Sequence, residues 1–224
     1  AGQVFSLELF LTTGIQIADA LGKLHARKII HRDIKPHNIL LNIKTKQVKL
    51  TDFGISSALT GDDPAAGDEA VIDGTFAYMA PEQTGRMNRP VSYQTDLYAL
   101  GVTFYELLTQ RLPFDDISDP LELFHAHMAK RPVPPVELNA AIPQVVSDIV
   151  MKALAPDVSE RYQRASELLD DLATSAEIDH NATEMEDIRR RLRAREVPRA
   201  TFCWHCRKPV HARSATCAFC GEKQ

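Results

Sequence analysis

The sequence predicts a mainly α-helical chain with one small β-hairpin and a separate cysteine-bearing module at its C-terminal end. Apolar residues recur at helical spacing in several segments, two short aliphatic runs flank a polar stretch, and all four cysteines fall in the last 22 of 224 residues. The hydrophobic fraction of 44% and the charged fraction of 25% exclude wholesale disorder. No apolar run approaches the roughly 18 residues that cross a bilayer, and no secretory signal is recognisable, so we expect a cytoplasmic protein without a membrane segment.

Charge is distributed unevenly along the chain. The formal net charge is −4, but residues 188–224 carry a net charge of +8 and the residues before them a net charge of −12. Such a division favours two regions with different partners. The first 202 residues contain no cysteine. A thiol-free body followed by one tight cysteine cluster is typical of a cytosolic protein with a metal site, not of a secreted disulfide-bonded protein.

The first predicted element is a long helix over residues 7–27. Phe10, Ile17, Leu21 and Leu24 recur at helical spacing and therefore share one face. We expect this face to be buried against the rest of the chain.

A β-hairpin and four further helices follow. The aliphatic runs Ile39–Leu41 and Val48–Leu50 flank the mostly polar stretch 42–47 and predict the two strands of the hairpin. The acidic stretch 61–74 contains Gly and Pro without periodicity, which indicates a long exposed loop. The remaining helices are predicted over residues 96–109, 119–130, 143–155 and 165–176, and a charged linker or solvated helix over residues 177–200.

Four motifs occur in order along the first 101 residues, and together they are far more specific than any one of them. The motifs are His31-Arg32-Asp33-Ile34-Lys35-Pro36-His37-Asn38, Asp52-Phe53-Gly54, Gly74-Thr75-Phe76-Ala77-Tyr78-Met79-Ala80-Pro81-Glu82 and Asp96-Leu97-Tyr98-Ala99-Leu100-Gly101. Together they resemble the large, C-terminal lobe of a eukaryotic-type (Hanks-type) Ser/Thr protein kinase, and the resemblance covers about residues 5–176. Residues 81–95 and 119–138 also resemble kinase modules of bacterial multidomain signalling proteins.

The chemistry of phosphoryl transfer from ATP accounts for the residue types in these motifs. Asp33 is expected to accept the proton of the substrate hydroxyl and to orient that hydroxyl, and Lys35 to steady the transferred phosphate as a point charge. Asn38 and Asp52 offer the hard oxygen ligands that suit Mg²⁺. Thr75 resembles the threonine that bonds the catalytic Asp and Lys in this group of kinases. The resemblance thus implies a protein substrate with Ser or Thr acceptors and a role in signal transduction.

Other residues of the motifs are predicted to have structural roles. Asp96 resembles the aspartate at a helix start that holds the catalytic loop, and it could equally serve as an N-cap. Glu82 and Arg161 resemble the buried ion pair of the family. The remaining structural residues belong to the packed column and turns of the fold: His31, Arg32, Phe53 and Gly54.

The activation loop departs from the family pattern. An arginine beside the catalytic aspartate, here Arg32, usually pairs with a phosphorylated loop residue. No Ser or Thr lies between Thr60 and Thr75. One hypothesis is that Asp68 or Glu69 neutralises Arg32 without phosphorylation, and the alternative is a solvated acidic loop.

The residues before His31 lack the Gly-rich loop and the strand lysine with which kinases hold ATP. We therefore expect residues 1–176 to be a kinase C-lobe whose small lobe is missing, and the chain alone to be inactive. The alternative is a non-catalytic kinase-like scaffold that uses its C-terminal module for protein or nucleic-acid interaction.

Residues 201–224 predict a zinc ribbon. Two Cys-x-x-Cys turns can supply four thiolates to one Zn²⁺. Gly221 relieves the backbone strain of the second turn, where the chain must fold back under the sulfur atoms. Two disulfides or a redox pair are the alternative, and His205 and His211 are expected to be bystanders. Protein docking is favoured over nucleic-acid binding as the role of the ribbon. The four predicted ligands are Cys203, Cys206, Cys217 and Cys220.

Overall fold

The structure of the protein is a computed structural model. It describes residues 6–52, 57–58, 75–84 and 89–177 and, near the C-terminus, residues 201–202, 206, 209–210, 216 and 220–221. The chain divides into two compact units, Ala1–Ile188 and Arg189–Gln224. The predicted domain boundaries at residues 176 and 200 stay predictions.

The first unit is mostly helical, as the sequence predicts. Four of the five predicted helices match within one or two residues at each end, and the helix predicted to start at residue 96 begins three residues earlier. The helices are α1 (Leu7–Ala26), α2 (Tyr93–Thr109), α3 (Pro120–Ala129), α4 (Pro135–Leu138), α5 (Gln144–Ala153) and α6 (Ala165–Glu177). No helix in the described part of the chain is long and apolar enough to cross a membrane.

Helix α1 begins where its sequence offers a cap. The Oγ atom of Ser6 accepts a hydrogen bond from the backbone N–H of Leu9 at 3.2 Å, which satisfies one of the unpaired donors of the first turn. The apolar face packs against α6 and α2, and the Phe10 ring meets the Phe104 ring edge to face at 5.2 Å between centroids.

Helix α2 is the centre of the fold. Every residue from Thr95 to Tyr105 is buried, because α1, α4 and α5 surround this helix. The helix starts before Asp96 because the backbone N–H of Ser92 donates to Thr95 Oγ1 at 3.0 Å. Asp96 is therefore the fourth residue of the helix and not its N-cap, which corrects the N-cap alternative.

Gly101 allows α2 and α5 to approach closely, and we predict that Gly101→Ala destabilises the fold. A Cβ atom at this position would lie 2.8 Å from Ala153 Cβ and 3.2 Å from the Ala153 carbonyl carbon, so backbone must move. We expect the free energy of unfolding in urea to fall by about 1–3 kcal/mol. Gly22→Ala is the matched control, since its Cβ would meet Ala165 Cβ at 3.7 Å. The control should be stabilised by about 0.5–1 kcal/mol, and equal effects of the two substitutions would contradict the prediction.

In the described residues of the first unit, two small antiparallel sheets accompany these helices. The predicted hairpin is present as β2 (Ile39–Asn42) and β3 (Gln47–Leu50), in the register that pairs Ile39 with Leu50. The sequence analysis missed the pair formed by β1 (Ile29–Ile30) and β4 (Ser57–Ala58). These strands have two residues each and lie far apart in the chain, so no local periodicity reveals them.

The second unit is described at few positions. Strands β5 (Thr201–Phe202) and β6 (Pro209–Val210) pair antiparallel, with Thr201 opposite Val210. Gly221 has a φ angle of 76°, in the left-handed region that favours glycine. Of the linker predicted over residues 177–200, Glu177 is the last residue of α6, and residues 178–200 lie outside the described residues.

Candidate active site

Three predicted catalytic residues form one hydrogen-bonded cluster. Lys35 Nζ lies 2.9 Å from Asp33 Oδ2, and Asn38 Nδ2 donates to the same oxygen at 2.8 Å. Asn38 Nδ2 also donates to the Asp33 carbonyl oxygen at 2.8 Å. The Asp33 side chain is almost fully buried. Since both contacts use Oδ2, Oδ1 accepts no hydrogen bond from any residue that the structure describes and can face a substrate.

The backbone between β1 and β2 sets this spacing. Pro36 begins a short 3-10 turn that ends at Asn38, and the Asn38 N–H donates to the Lys35 carbonyl oxygen at 3.0 Å. Proline suits the first position of such a turn because it needs no N–H donor there. The turn brings the amide of Asn38 back towards Asp33.

Asp96 holds the preceding residues of the loop from α2. One carboxylate oxygen accepts the backbone N–H of His31 at 2.9 Å, and the other accepts that of Arg32 at 2.8 Å. His25 Nε2, from the end of α1, donates to Asp96 at 2.9 Å. Arg32 has a φ angle of 68°, which is strained for a residue with a side chain. The two hydrogen bonds to Asp96 stabilise that conformation.

Asp52 lies beside the cluster. The backbone N–H of Thr51 donates to the Asn38 carbonyl oxygen at 2.9 Å, and His31 Nε2 donates to the Thr51 carbonyl oxygen at 3.1 Å. Asp52 follows directly, with an exposed side chain and a φ angle of 61°. The hairpin therefore brings Asp52 and Asn38 together although 13 residues separate them.

An exposed leucine adjoins the same place. Leu40 lies two residues after Asn38 in β2, and 56% of its surface is exposed. Its cross-strand partner is Lys49, so both side chains lie on the exposed face of the hairpin. This face offers an apolar surface next to the candidate site.

A small cavity adjoins Asp33. Gln83 bridges its walls, because Gln83 Nε2 donates to the Arg32 carbonyl oxygen at 3.0 Å and Gln83 Oε1 accepts the Ala80 N–H at 3.0 Å. Tyr78 also lines it, and burial together with the hydrogen bond to Glu106 raises the pKa of Tyr78 above its ordinary value. Tyr78 is therefore a neutral donor, 2.5 Å from Glu106 Oε2. The cavity is lined by Arg32, Asp33, Ile34, Tyr78, Met79, Gln83 and Ala99.

Glu82 and Arg161 form a buried bidentate ion pair. Arg161 Nη1 and Nη2 lie 2.8 Å and 3.0 Å from the two Glu82 carboxylate oxygens, and both side chains are fully buried. Thr95 Oγ1 donates to Glu82 at 2.8 Å. The guanidinium of Arg161 lies 4.6 Å from the centre of the Tyr98 ring. The pair therefore links the short turn that contains Glu82 to α2 and to the segment before α6.

Several predicted residues lie outside the described residues. Thr75 starts a 3-10 turn over Thr75–Tyr78, but its side chain is not among those described. The others are Phe53, Gly54, Asp68, Glu69, Cys203 and Cys217. Arg32 Nε is buried and has no hydrogen-bond partner within the described part, and the hypothesis that Asp68 or Glu69 neutralises Arg32 stays a prediction.

No cluster of three or more potential metal ligands (His, Cys, Asp or Glu) occurs among the described residues. Of the four cysteines, only Cys206 and Cys220 are among the residues that the structure describes. A tetrahedral thiolate site therefore stays a prediction from spacing.

The sequence analysis missed three residues of the site: His25, Leu40 and Gln83. His25 precedes the first motif by six residues, and only the packing of α1 on α2 brings it to Asp96. Leu40 could have been found from its place two residues after Asn38 in the strand pattern. Gln83 follows Glu82, yet its contact with Arg32 spans 51 residues, so no local pattern reveals it.

Comparison with known proteins gives a family match. Residues 3–172 match the family described as protein kinase domain. A probable serine/threonine-protein kinase of Clostridium perfringens is 38% identical over 165 residues, covering 74% of this chain and 23% of that protein. Serine/threonine-protein kinase PknB of Mycolicibacterium smegmatis is 39% identical over 159 residues, covering 70% of this chain and 25% of that protein.

A further similar protein is a hybrid signal transduction histidine kinase G of Dictyostelium discoideum. It is 32% identical over 233 residues, covering 74% of this chain and 7% of that protein. The chain thus spans about a quarter of the length of the two bacterial relatives and 7% of the length of the Dictyostelium protein.

Proposed function

The chain belongs to the protein kinase domain family, and we propose that it carries the catalytic loop of a Ser/Thr protein kinase, which transfers the terminal phosphoryl group of ATP to a protein hydroxyl. One observation carries the proposal: the Lys35 ammonium and the Asn38 amide both contact the same oxygen of the Asp33 carboxylate, at 2.9 Å and 2.8 Å, and Asp52 lies beside them in the chain fold. Phosphoryl transfer needs a proton acceptor, a cation and metal-binding oxygens in one place.

Asp33 is the proposed proton acceptor. Its Oδ2 atom is held by Lys35 and Asn38, so the carboxylate has a defined orientation. Its Oδ1 atom is left for the hydroxyl of the substrate. A carboxylate placed in this way orients the hydroxyl and takes its proton as the bond to phosphorus forms. Lys35 neutralises charge on the transferred phosphate.

Asn38 and Asp52 are the proposed magnesium ligands. Both N–H bonds of the Asn38 amide are directed at Asp33, which turns its oxygen away from the carboxylate. Asp52 is exposed and follows the residue that hydrogen-bonds to Asn38. These oxygens fit Mg²⁺, and the bound ion would neutralise phosphate charge. Leu40 supports a nucleotide here, because an exposed apolar side chain next to the phosphate site can pack against the base.

The proposal predicts metal-dependent transfer to Ser and Thr. The full-length protein, incubated with ATP and Mg²⁺, should phosphorylate Ser and Thr but not Tyr in a mixed peptide library. Mass spectrometry of the peptides measures this, and removal of the metal by EDTA should abolish it. Transfer to Tyr alone would contradict the acceptor class. Peptide binding without any transfer would favour the rival function, a non-catalytic kinase-like scaffold.

The C-terminal unit is proposed to be a Cys₄ zinc ribbon. In support, Cys203 directly follows β5 in the sequence, and Cys206 lies in the connection between β5 and β6. The positive φ angle of Gly221 suits a chain that folds back after Cys220. Zinc would stabilise a segment with few large apolar residues.

Zinc content tests the ribbon. We predict one tightly bound zinc ion per chain by elemental analysis, and loss of it in the double variant Cys217→Ser/Cys220→Ser. The double variant His205→Ala/His211→Ala is the control and should keep the metal. Full zinc content in the cysteine variant, or none in the wild-type protein, would contradict the site.

The ribbon is proposed to dock on a protein. Residues 188–224 carry a net charge of +8, which suits an acidic protein surface. Salt-sensitive binding of nucleic acid in a filter assay would favour the alternative partner.

A further inference from the structure

An apolar groove of about 650 Å³ lies at the end of α1 that is remote from the catalytic loop. Its walls come from the first half of α1, from the loop that leads into α5 and from the end of α6. The main apolar residues of the walls are Leu7, Leu11, Ile15, Ile142, Val146 and Ala176. A groove of this size with apolar walls is favourably covered by apolar side chains.

The chain that continues from α6 starts at this groove. Ser175 and Ala176 form part of the wall, and α6 ends at Glu177. Residues 178–188 follow α6 directly in the sequence. Seven residues separate Ile178 from Met185, a span of about 10 Å in helical and about 25 Å in extended conformation.

The sequence of residues 178–188 suits this surface. Its apolar residues are Ile178, Ala182, Met185 and Ile188, at spacings of four, three and three residues, and the other seven are polar or charged. This spacing is typical of an amphipathic helix, whose apolar stripe would fall within an arc of about 120°. Such a stripe matches an apolar groove and not a solvated linker.

We propose that residues 178–188 of the same chain dock in this groove, with Met185 and Ile188 covering the apolar walls. The interaction goes beyond the proposed function and does not depend on it, because the groove lies away from Asp33 and its neighbours. It anchors the chain that follows α6 on the kinase fold.

Photo-crosslinking in the full chain tests the docking. Thr12 lines the groove and is half-buried, so it is replaced by p-benzoylphenylalanine, and the adducts are located by mass spectrometry after irradiation. We expect adducts on residues 178–188 of the same chain. Adducts on residues 1–5, adducts that join two chains, or none would overturn the proposal. The same probe at the exposed Leu121 of α3 controls for random collision.

Substitutions in the segment complete the test. Met185→Glu/Ile188→Glu should reduce the adduct yield by about tenfold or more, since a buried Met or Ile stabilises docking by at least that factor. His180→Glu/Thr183→Glu adds the same charge opposite the apolar stripe and should keep the yield. Equal yields in the two variants would overturn the proposal. If the helical circular-dichroism signal shows that the first variant is unfolded, Met185→Ala replaces it. This variant should also reduce the adduct yield.

Discussion

The Asp33→Asn variant of the full-length protein is expected to lose about 100- to 10,000-fold in turnover number while it keeps its affinity for ATP. The substitution is nearly isosteric. An amide oxygen in the place of Oδ2 can still accept from Asn38 and from Lys35, which lie 2.8 Å and 2.9 Å away. The amide nitrogen in the place of Oδ1 cannot accept a proton from the substrate hydroxyl. The chemical step therefore slows, whereas the residues proposed to hold metal and phosphate remain.

Steady-state kinetics with a Ser peptide and an independent nucleotide-binding measurement separate the two effects. Asp115→Asn is the matched control, because Asp115 is exposed and its only described ion pair, with Arg111, is long at 3.9 Å. The control should keep both turnover and affinity. If the Asp33 variant kept the wild-type turnover number, the proposal that Asp33 is the proton acceptor would be wrong. Loss of ATP binding in that variant would instead indicate that Asp33 acts by holding the site together.

Glu82→Ala is expected to lower the free energy of unfolding by about 3–5 kcal/mol. Arg161 would keep backbone acceptors at Ala155 and Pro156, but its charge would be buried without a counter-ion. Thr95 Oγ1 would also lose its acceptor. Unfolding in urea, followed by circular dichroism, measures the change.

Glu160→Ala is the matched control for this prediction. Glu160 also pairs with an arginine, Arg131, but the two atoms are 3.5 Å apart and both side chains are more than half exposed. Loss of such a pair changes the free energy of unfolding by about 1 kcal/mol or less. If both variants lost the same stability, burial of the Glu82 pair would not matter. A Glu82 variant as stable as the wild-type protein would refute the prediction.

Local pattern was a good guide to the helices and the hairpin. Helix α1 was predictable because its apolar residues repeat every three to four positions and because Ser6 precedes them. Helix α2 was predicted three residues short, since its first turn is polar and is defined by the contact between Ser92 and Thr95. The strands of two residues, β1 and β4, were not predictable, because such short segments carry no period.

The candidate site also contains some contacts that depend on local sequence and others that depend on the packing of the helices. Asp33, Lys35 and Asn38 are close in sequence, so one turn brings their side chains together. Asp96 lies 64 residues after Arg32, and its contact with the loop depends on how α2 packs against α1. The contacts of His25 and Gln83 depend on the same packing.

The amino-acid order alone therefore determined the chemical groups of the site, the local turns that present them and the periods of the helices, because these depend on residues a few positions apart. Only the tertiary structure decided that His25 and Gln83 also take part in holding the loop, and that α1, α5 and α6 leave an apolar groove. Those features depend on which faces of the helices meet, and periodicity shows that a face is apolar without showing what covers it.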